Sequence, residues 1–328
     1  MVVKKFGLAA AALAMFAAPL PTISASARDD GIGLASLNAT QDAALLRQLS
    51  AIVSEMPSAR VGITAIDMDS GRQVSINGDQ PFPMASTVKI AVAATFLDMV
   101  DQGTRRLDQS FPLMIRVAGD TADGRAAVRP GMSLTAQSLI ELSITKSDNQ
   151  ATDALIAAVG GTRAVTAWLQ KNSLSGLRID RDIATLVRDD SAKNDPLRMV
   201  DRRDTSTPQA MVHVLTALYR GDVLSAQSRA VLLGAMSRCQ TGRNRLKALL
   251  PQDTLVAHKT GTLWGQTSDV GFIRLPDGRN MAIAVYVAGQ QSHTAHAGTI
   301  AAVARTVYDN FTPTLASAAA ADRSLAAR

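Results

Sequence analysis

Strand-like segments at both ends of the chain, with helical segments between them, limit the folds that this sequence can adopt. Near the start, "RVGITAID" and "RQVSIN" flank "MDSG" and predict a hairpin. Near the end stand three more strand-like runs, "DTLVAHKTGT", "SDVGFIRL" and "NMAIAVYVAG", the last two joined by a "PDGR" turn. We therefore expect the two ends of the chain to form one lobe around a mostly antiparallel, five-stranded sheet.

Apolar residues at helical spacing predict a covering helix at each end of this sheet. The first helix is predicted over residues 41–56, after possible caps in "NATQD", with its apolar face at Leu45, Leu46, Leu49, Ile52, Val53 and Met56. The closing helix carries Ile300, Val303, Val307, Tyr308 and Phe311 on one side. Both helices are expected to pack on the sheet.

The middle of the chain is nearly free of strand patterns and rich in helical ones, so we interpret residues 84–235 as an all-helical lobe. The predicted fold class is α/β of the α+β kind, with two lobes in a single catalytic domain, 28–311. Residues 40–83 and 236–311 would form the sheet lobe. A cleft between two lobes is the natural place for a site.

Residues 1–27 have the composition of a secretory signal. Lys4 and Lys5 precede the apolar run "FGLAAAALAMFAAPL", and small residues at Ala25 and Ala27 favour cleavage before Arg28. The run is short for a membrane span, and no cysteine near the cleavage site could carry a lipid. We expect a periplasmic or secreted protein without a stable membrane anchor, which ends in an alanine-rich flexible tail, 312–328.

Composition narrows the possible partners. The formal net charge is +6, and loss of the two signal lysines lowers it to +4; the remaining arginines alternate with aspartates rather than forming a stripe. Nucleic acid is therefore not expected as a partner. The one cysteine, Cys239, has no partner for an internal disulfide, so packing of a 47% hydrophobic chain must supply the stability. A monomer is the default expectation.

The stretch "PFPMASTVKIAVAATFL", residues 81–97, places Ser86 and Lys89 on one face at the start of an apolar helix. Burial disfavours a charged ammonium, so Lys89 could take the hydroxyl proton of Ser86 near pH 7. The pair alone is a weak signal, because Ser143 and Lys146 in "SITK" repeat the same spacing. The alternative is a structural lysine whose amine extends to water.

Two further motifs accompany this pair, "SDN" at 147–149 between two predicted helices and "KTG" at 259–261 on the third strand. With S-x-x-K, S-D-N and K-T-G in this order, the sequence resembles the penicillin-recognising serine enzymes and, among them, the class A β-lactamases. The likeness covers about residues 40–311 and includes "SDNQATDALI", "RDTSTPQAM", "TGRNRLKALLP" and "HKTGT".

The resemblance implies a role for each residue of these motifs. Ser86 would be the nucleophile and Lys89 its base, although the base is disputed within the family. The backbone amides of Ser86 and Thr262 would form the oxyanion hole. Ser147 would pass a proton to the departing nitrogen, and Lys259 would polarise Ser147.

Substrate contacts follow from the same resemblance. Asn149 would hold the side-chain amide of a β-lactam. Thr260, Thr262 and Arg245 would bind its carboxylate, since a guanidinium suits a planar partner with two oxygens. The alternative for Arg245 is a solvated charge on a helix. No metal and no cofactor are expected.

One loop departs from the family pattern R-x-E-x-x-L-N. In "RDIATLV", Ile183 occupies the position of the deacylating glutamate, and Val187 that of the asparagine. Asp182 could act instead if the loop path differs. The loop, which an Arg181–Asp204 ion pair should close, is long enough to offer other carboxylates: Asp189, Asp190, Asp195 and Asp201. A solvated loop acid is the alternative interpretation of each.

Other potentially reactive residues receive structural interpretations. His258 should point away from Lys259 because a strand alternates faces. Cys239 is expected to be a small buried hydrophobe. His293 and His296 lack a third ligand, so a zinc site is not expected there.

The sequence thus predicts a serine hydrolase that opens β-lactams through an acyl-enzyme at Ser86, with a slow or non-standard deacylation. One alternative is a penicillin-binding or sensing protein that stays acylated. Another is a hydrolase of a different ester, thioester or peptide. The preferred β-lactam class and the deacylating base remain open at this point.

Overall fold

The structure is a computed structural model that describes residues 31–120, 126–191, 197, 201–289 and 292–312. The predicted signal 1–27 lies outside these residues, as does the predicted tail after Thr312. In chain order the elements are α1 (Gly31–Ser54), β1 (Ala59–Asp67), β2 (Gln73–Ile76), β3 (Phe82–Pro83), a 3-10 helix (Ala85–Val88), α2 (Lys89–Asp101), β4 (Ser110–Asp120), β5 (Ala126–Thr135), α3 (Ala136–Thr145), α4 (Asn149–Val159), α5 (Thr162–Lys171), α6 (Ile183–Asp189), β6 (Thr205–Ser206), α7 (Pro208–Arg220), α8 (Ala226–Ser237), β7 (Val256–Leu263), β8 (Gln266–Arg274), β9 (Asn280–Gly289) and α9 (His293–Phe311).

The central sheet joins the two ends of the chain, as the sequence predicted. Its strand order is β2-β1-β9-β8-β7, and each neighbouring pair is antiparallel. Strand β9 lies in the middle and is buried along its whole length. Because β1 from the N-terminal part pairs with β9 from the C-terminal part, this sheet can form only when both ends are present.

Helices α1 and α9 cover one face of the sheet. Leu45 and Leu49 of α1 share a buried cluster with Val303 and Val307 of α9 and with Ile283 of β9. The predicted covering helices are therefore confirmed. The predicted start at residue 41 is wrong, because α1 already begins at Gly31 and the proposed caps in "NATQD" lie inside it.

The other face of the sheet packs against the helical lobe, with α2 at its centre. Every residue of α2 from Lys89 to Leu97 is buried, and the helix contacts α3, α4, α5 and α8. This burial on all sides explains why the sequence of α2 is apolar all round. None of the helices in the described residues is both long and apolar enough to span a membrane.

The middle lobe is not all-helical, contrary to the prediction. Strands β4 and β5 form an antiparallel hairpin beside α4, and the two-residue strands β3 and β6 pair with each other. In β4 the apolar residues Phe111, Leu113 and Ile115 fall at every second position, which is the period of a strand. Proline and glycine in β5, at Pro130 and Gly131, also disfavour a helix there.

Candidate active site

The predicted nucleophile lies where a strained turn enters the central helix. Ala85 has a positive φ of 49°, and Ser86 follows in the 3-10 helix that leads directly into α2. The residue before the turn, Met84, donates its backbone N–H to the Asp204 carbonyl at 2.9 Å. This bond ties the entrance of the helix to the neck of the loop that ends at Asp204. Ser86 is only partly buried, so its hydroxyl lies at the border of the core.

Lys89 lies one turn further along and is fully buried. Its Nζ donates to the Ser147 carbonyl at 2.7 Å and to Asn149 Oδ1 at 2.7 Å, and lies 3.3 Å from Ser147 Oγ. Burial, followed by the nearby charge of Lys259, lowers the pKa of Lys89 well below its ordinary value. A neutral amine at this position can accept a proton from a neighbouring hydroxyl.

The S-D-N loop between α3 and α4 brings Ser147 to the same point. Asp148 caps α4 by accepting the Ala151 N–H at 2.8 Å. This places Ser147, whose φ is 58°, with its hydroxyl between two lysines. Lys259 Nζ donates to Ser147 Oγ at 2.9 Å. Burial lowers the pKa of Lys259 to about 8, so its amine remains mostly charged at neutral pH.

The K-T-G strand passes close to the nucleophile because residue 261 is a glycine. A Cβ at Gly261 would lie 2.7 Å from the Met84 carbonyl oxygen and 2.4 Å from Ser268 Oγ. Any side chain there would push β7 away from the 3-10 helix that carries Ser86. The glycine therefore maintains the narrow gap between the sheet lobe and the helical lobe.

Arg245 lies beneath the end of β7 and beside the predicted carboxylate-binding residues. Its Nη2 donates to Thr262 Oγ1 at 2.7 Å, and its Nη1 donates to the carbonyls of Gly261 and Ser268 at 2.9 and 2.8 Å. Thr262 is exposed and Thr260 is buried. The predicted alternative for Arg245, a solvated charge, does not match this set of contacts.

The loop between Arg181 and Asp204 is closed as predicted. Arg181 Nε donates to Asp204 Oδ2 at 2.6 Å across 23 positions of sequence. The same guanidinium bonds Asp189 at 3.2 Å and Asp201 at 3.3 Å. Arg181 therefore gathers three carboxylates at the neck of the loop, and its own side chain is largely buried.

The remaining loop acids that the structure describes, among those proposed as substitute bases, already have partners. Asp182 caps α6 by accepting the Thr185 N–H at 2.8 Å. Asp190 accepts the Trp264 N–H of the β7–β8 turn at 3.0 Å. Asp195 lies outside the described residues. Ile183 is buried, with 3% of its surface exposed, and Val187 is 42% exposed.

Sequence reasoning missed Asp153, a buried carboxylate behind Ile183. Asp153 lies one turn after Asn149 on α4 and accepts the N–H groups of Ile183 at 2.6 Å and Ala184 at 2.9 Å. Burial raises the pKa of Asp153 to about 7, against the opposing effect of these two hydrogen bonds. The only signal in the sequence was that Asp153 lies four residues after Asn149, which places both residues on the same side of α4.

Cys239 and His258 are buried, as their structural interpretation predicted, but the sequence did not reveal their partners. His258 is buried and its Nδ1 lies 2.8 Å from Asp269 Oδ1, so it is one half of an ion pair inside the protein. Cys239 is buried and interacts with His258. By contrast, His293 and His296 both contact Thr267 Oγ1. Within the described ranges no group of three metal-ligating side chains is placed to hold a metal ion.

The match to a known family extends over most of the chain. Residues 44–311 match the sequence profile of the β-lactamase enzyme family. The chain belongs to the β-lactamase enzyme family. The resemblance seen in the three short motifs is thereby confirmed.

Individual relatives agree with the assignment to the β-lactamase family. β-Lactamase L2 of Stenotrophomonas maltophilia is 34% identical over 232 residues, which cover 70% of this chain and 73% of that protein. The extended-spectrum β-lactamase PER-1 of Pseudomonas aeruginosa is 29% identical over 297 residues, covering 84% of this chain and 91% of that protein.

Solved structures of β-lactamases share the fold. An ancestral class A β-lactamase superposes with a TM-score of 0.69 at 34% identity, covering 81% of this chain and 100% of that one. A β-lactamase from Chitinophaga pinensis gives a TM-score of 0.71 at 27% identity, over 81% of this chain and 98% of that one. This β-lactamase-family chain nevertheless carries Ile183 where the resemblance led us to expect a glutamate.

Proposed function

We propose that this chain is a class A serine β-lactamase, which opens the amide of a β-lactam through an acyl-enzyme at Ser86. The observation that carries the proposal is the position of the Ser147 hydroxyl. It lies 3.3 Å from Lys89 Nζ and 2.9 Å from Lys259 Nζ, beside the helical segment that carries Ser86. Two amines with lowered pKa values and one shared hydroxyl provide a route for proton transfer.

Acylation would begin when the Ser86 hydroxyl attacks the lactam carbonyl and gives its proton to the neutral amine of Lys89. Backbone N–H groups of Ser86 and Thr262 would donate to the oxyanion. As the C–N bond breaks, the hydroxyl of Ser147 would deliver a proton to the leaving nitrogen. The charged Lys259 supports this transfer by polarising Ser147.

The substrate would be held at its two ends. Thr260, Thr262 and Arg245 form the proposed site for the β-lactam carboxylate, and the hydrogen bond from Arg245 to Thr262 fixes that hydroxyl beside a positive charge. Asn149 would bind the side-chain amide of the substrate while its own carbonyl oxygen accepts from Lys89. The enzyme would act as a periplasmic or secreted monomer.

A second candidate function is a penicillin-binding or sensing protein that remains acylated. The specific observation in its favour is the buried side chain of Ile183, which has no acid or base to activate water. If the protein is a β-lactamase, another group activates water for deacylation slowly. If it is a penicillin-binding or sensing protein, no group does so.

Intact-protein mass spectrometry after mixing with a penicillin distinguishes these functions. A transient adduct with accumulation of opened product supports a β-lactamase, and a permanent adduct supports the second candidate. The absence of any adduct would favour a hydrolase of another ester, thioester or peptide. The variant Ser86→Ala should form no adduct, and labelling that survives this change would refute the assignment of the nucleophile.

A further inference from the structure

Three buried side chains that the proposed reaction does not use, Cys239, His258 and Asp269, lie close to Thr260 at the end of the main sheet. His258 and Thr260 share one face of β7, because they are two residues apart on a strand. Asp269 of β8 pairs directly opposite Thr260. Both oxygens of Asp269 lie within 2.9 Å of His258 Nδ1, and Oδ2 also accepts the Leu246 N–H at 3.3 Å.

Cys239 completes this group from the loop after α8. It is buried and interacts with the His258 imidazole, although His258 Nε2 makes no hydrogen bond within the described residues. Because Nδ1 contacts Asp269, Nε2 is the imidazole nitrogen left for the thiol. The order Cys–His–Asp is a chemically productive one, because a carboxylate orients the imidazole and the imidazole stabilises a thiolate.

A chain of hydroxyl groups connects this thiol to the proposed substrate site. Cys239 Sγ lies 3.3 Å from Thr241 Oγ1, and Thr241 Oγ1 lies 2.6 Å from Thr260 Oγ1. The loop is pressed onto the strand, since a Cβ at Gly242 would lie 2.4 Å from Thr260 Cγ2. At each of these two contacts either atom can be the hydrogen-bond donor, so both hydrogen bonds can reverse their direction together.

We propose that Cys239, His258 and Asp269 form a positioning relay that acts through Thr241 to set whether the Thr260 hydroxyl donates toward the carboxylate of a bound β-lactam. With a neutral thiol, the S–H points to Thr241, the Thr241 hydroxyl donates to Thr260, and the Thr260 proton is left for the substrate. With a thiolate, Thr241 donates to sulfur and Thr260 donates to Thr241. Thr260 then offers only lone pairs to the carboxylate.

The charges around the thiol place this reversal in an accessible pH range. Burial acts to raise the pKa of Cys239, but the hydrogen bond and charge of His258 outweigh it and lower the pKa to about 7. Burial acts to lower the pKa of His258, but Asp269 outweighs it and raises the pKa to about 9. Above pH 7 the thiol therefore loses its proton to solvent while the imidazole stays charged. The other charged groups that interact with the thiol are Lys259 and Arg245, while Arg238, the residue before Cys239, is paired with Glu141.

The relay rests on the proposed function, and its test uses the rate of penicillin acylation of Ser86, measured by intact-protein mass spectrometry between pH 6 and pH 8.5. In Cys239→Ser no thiolate forms. The ratio of its acylation rate to that of the wild type should increase by about tenfold from pH 6 to pH 8.5. Only the wild type loses a hydrogen bond to the substrate carboxylate as the pH rises. Thr241→Val interrupts the series of hydrogen bonds between Cys239 and Thr260 but keeps the thiol. Its acylation rate relative to the wild type should increase by the same factor. Deprotonation of Lys259 at high pH should lower the acylation rate in the wild type and in both variants alike.

Two further measurements make the test specific. Cys239 is the only cysteine, so the ultraviolet absorbance of the thiolate reports its ionisation directly, and Thr241→Val should retain a midpoint well below that of an ordinary thiol. Ser237→Ala, whose hydroxyl bonds only within the end of α8 at Gly234, should follow the wild-type pH profile. If Cys239→Ser and Thr241→Val also follow it, or if no thiolate forms below pH 9, the relay is refuted. A wild type that forms no adduct would refute the proposed function, and the relay with it.

Discussion

Individual side chains in this cleft are tuned mainly by burial. Lys89 and Lys259 are both fully buried, and both have lowered pKa values. Burial is the main cause of the lowering at Lys89, and the charge of Lys259 lowers its pKa further. The two amines can thus occupy different protonation states at one pH, one as a base and one as a cation. This division of roles is what the chemistry at Ser86 and Ser147 requires.

The buried carboxyl group of Asp153 should stabilise the protein in a way that depends on pH. Asp153→Asn replaces one of two acceptor oxygens with a donor that faces a backbone N–H, and should cost about 1–2 kcal/mol of unfolding free energy. The folded-state pKa of Asp153, about 7, exceeds the reference value of 3.8. Its contribution is therefore fully present below about pH 4 and is lost as the pH rises through 7.

The loss of stability in Asp153→Asn should consequently be larger at about pH 5 than at about pH 7.5. Urea unfolding of both proteins at the two pH values measures this difference. A loss that is equal at both pH values would mean that Asp153 has an ordinary pKa in the folded protein.

At the scale of elements, the loop that contains α6 is held by backbone and side-chain bonds and carries Ile183 where the resemblance predicted the deacylating glutamate. Its neck is fixed by Arg181 and Asp204, and its helix is attached to α4 through Asp153. The tip is attached to the β7–β8 turn, where Asp190 accepts the Trp264 N–H. The loop is therefore well anchored at three points, while Ile183 fills the space inside it with an apolar side chain.

A substitution in this loop tests whether the missing carboxylate limits turnover. Ile183→Glu should speed the loss of the penicillin adduct by at least about tenfold, because a positioned general base contributes about 10²–10⁴ to such a step. Time-resolved mass spectrometry of the acylated protein measures the rate. Burial of the new acid beside Asp153 should also lower the stability by about 1–3 kcal/mol.

Ile183→Gln is the matched control, since glutamine is nearly the same size as glutamate and is also polar, but its amide cannot act as a base at neutral pH. It should leave the rate of adduct loss unchanged. Equal rates for the glutamate variant and the wild type would show that another group already performs the second half-reaction.

At the scale of the whole molecule, the two lobes are made by one chain that leaves the sheet and returns to it. Strands β1 and β2 precede the helical lobe, and β7, β8 and β9 follow it. The site lies where the lobes meet, with Ser86 and Ser147 on the helical side and Lys259 on the sheet side. Neither lobe contains the complete set of proposed catalytic groups.

Removal of α9 should therefore unfold the protein rather than trim it. Six apolar side chains of this helix are buried against the sheet: Ile300, Val303, Ala304, Val307, Tyr308 and Phe311. Burial of a large apolar side chain contributes about 1.5–3 kcal/mol, so the loss of the five large ones, about 7.5–15 kcal/mol, is comparable to the roughly 5–15 kcal/mol that stabilises a typical domain. A chain truncated after residue 292 should show no cooperative thermal transition by circular dichroism.

A chain truncated after Thr312 is the control for this experiment. It lacks only the segment predicted to be a flexible tail and should keep the melting temperature of the full chain. A cooperative transition in the shorter protein would mean that α9 is dispensable and that the sheet is stabilised by α1 alone.

Local patterns in the sequence were sufficient for most of the fold and for the motifs. Hydrophobic periodicity located the five strands of the main sheet and the covering helices, because a face that is buried must be apolar at regular spacing. It missed the hairpin of β4 and β5, whose alternation is short and interrupted by prolines and glycine. It also placed the start of α1 too late, since polar residues such as Asn38 and Asp42 resemble caps even inside a helix.

Contacts between distant segments required the folded chain. That Asp153 bonds the N–H of Ile183, and that His258 meets both Asp269 and Cys239, depends on how α4, α6, β7, β8 and the loop after α8 pack together. Residue types show which groups can ionise or donate a hydrogen bond. Burial and the neighbouring charges decide which of them do so, and these follow from three-dimensional packing rather than from any local run of residues.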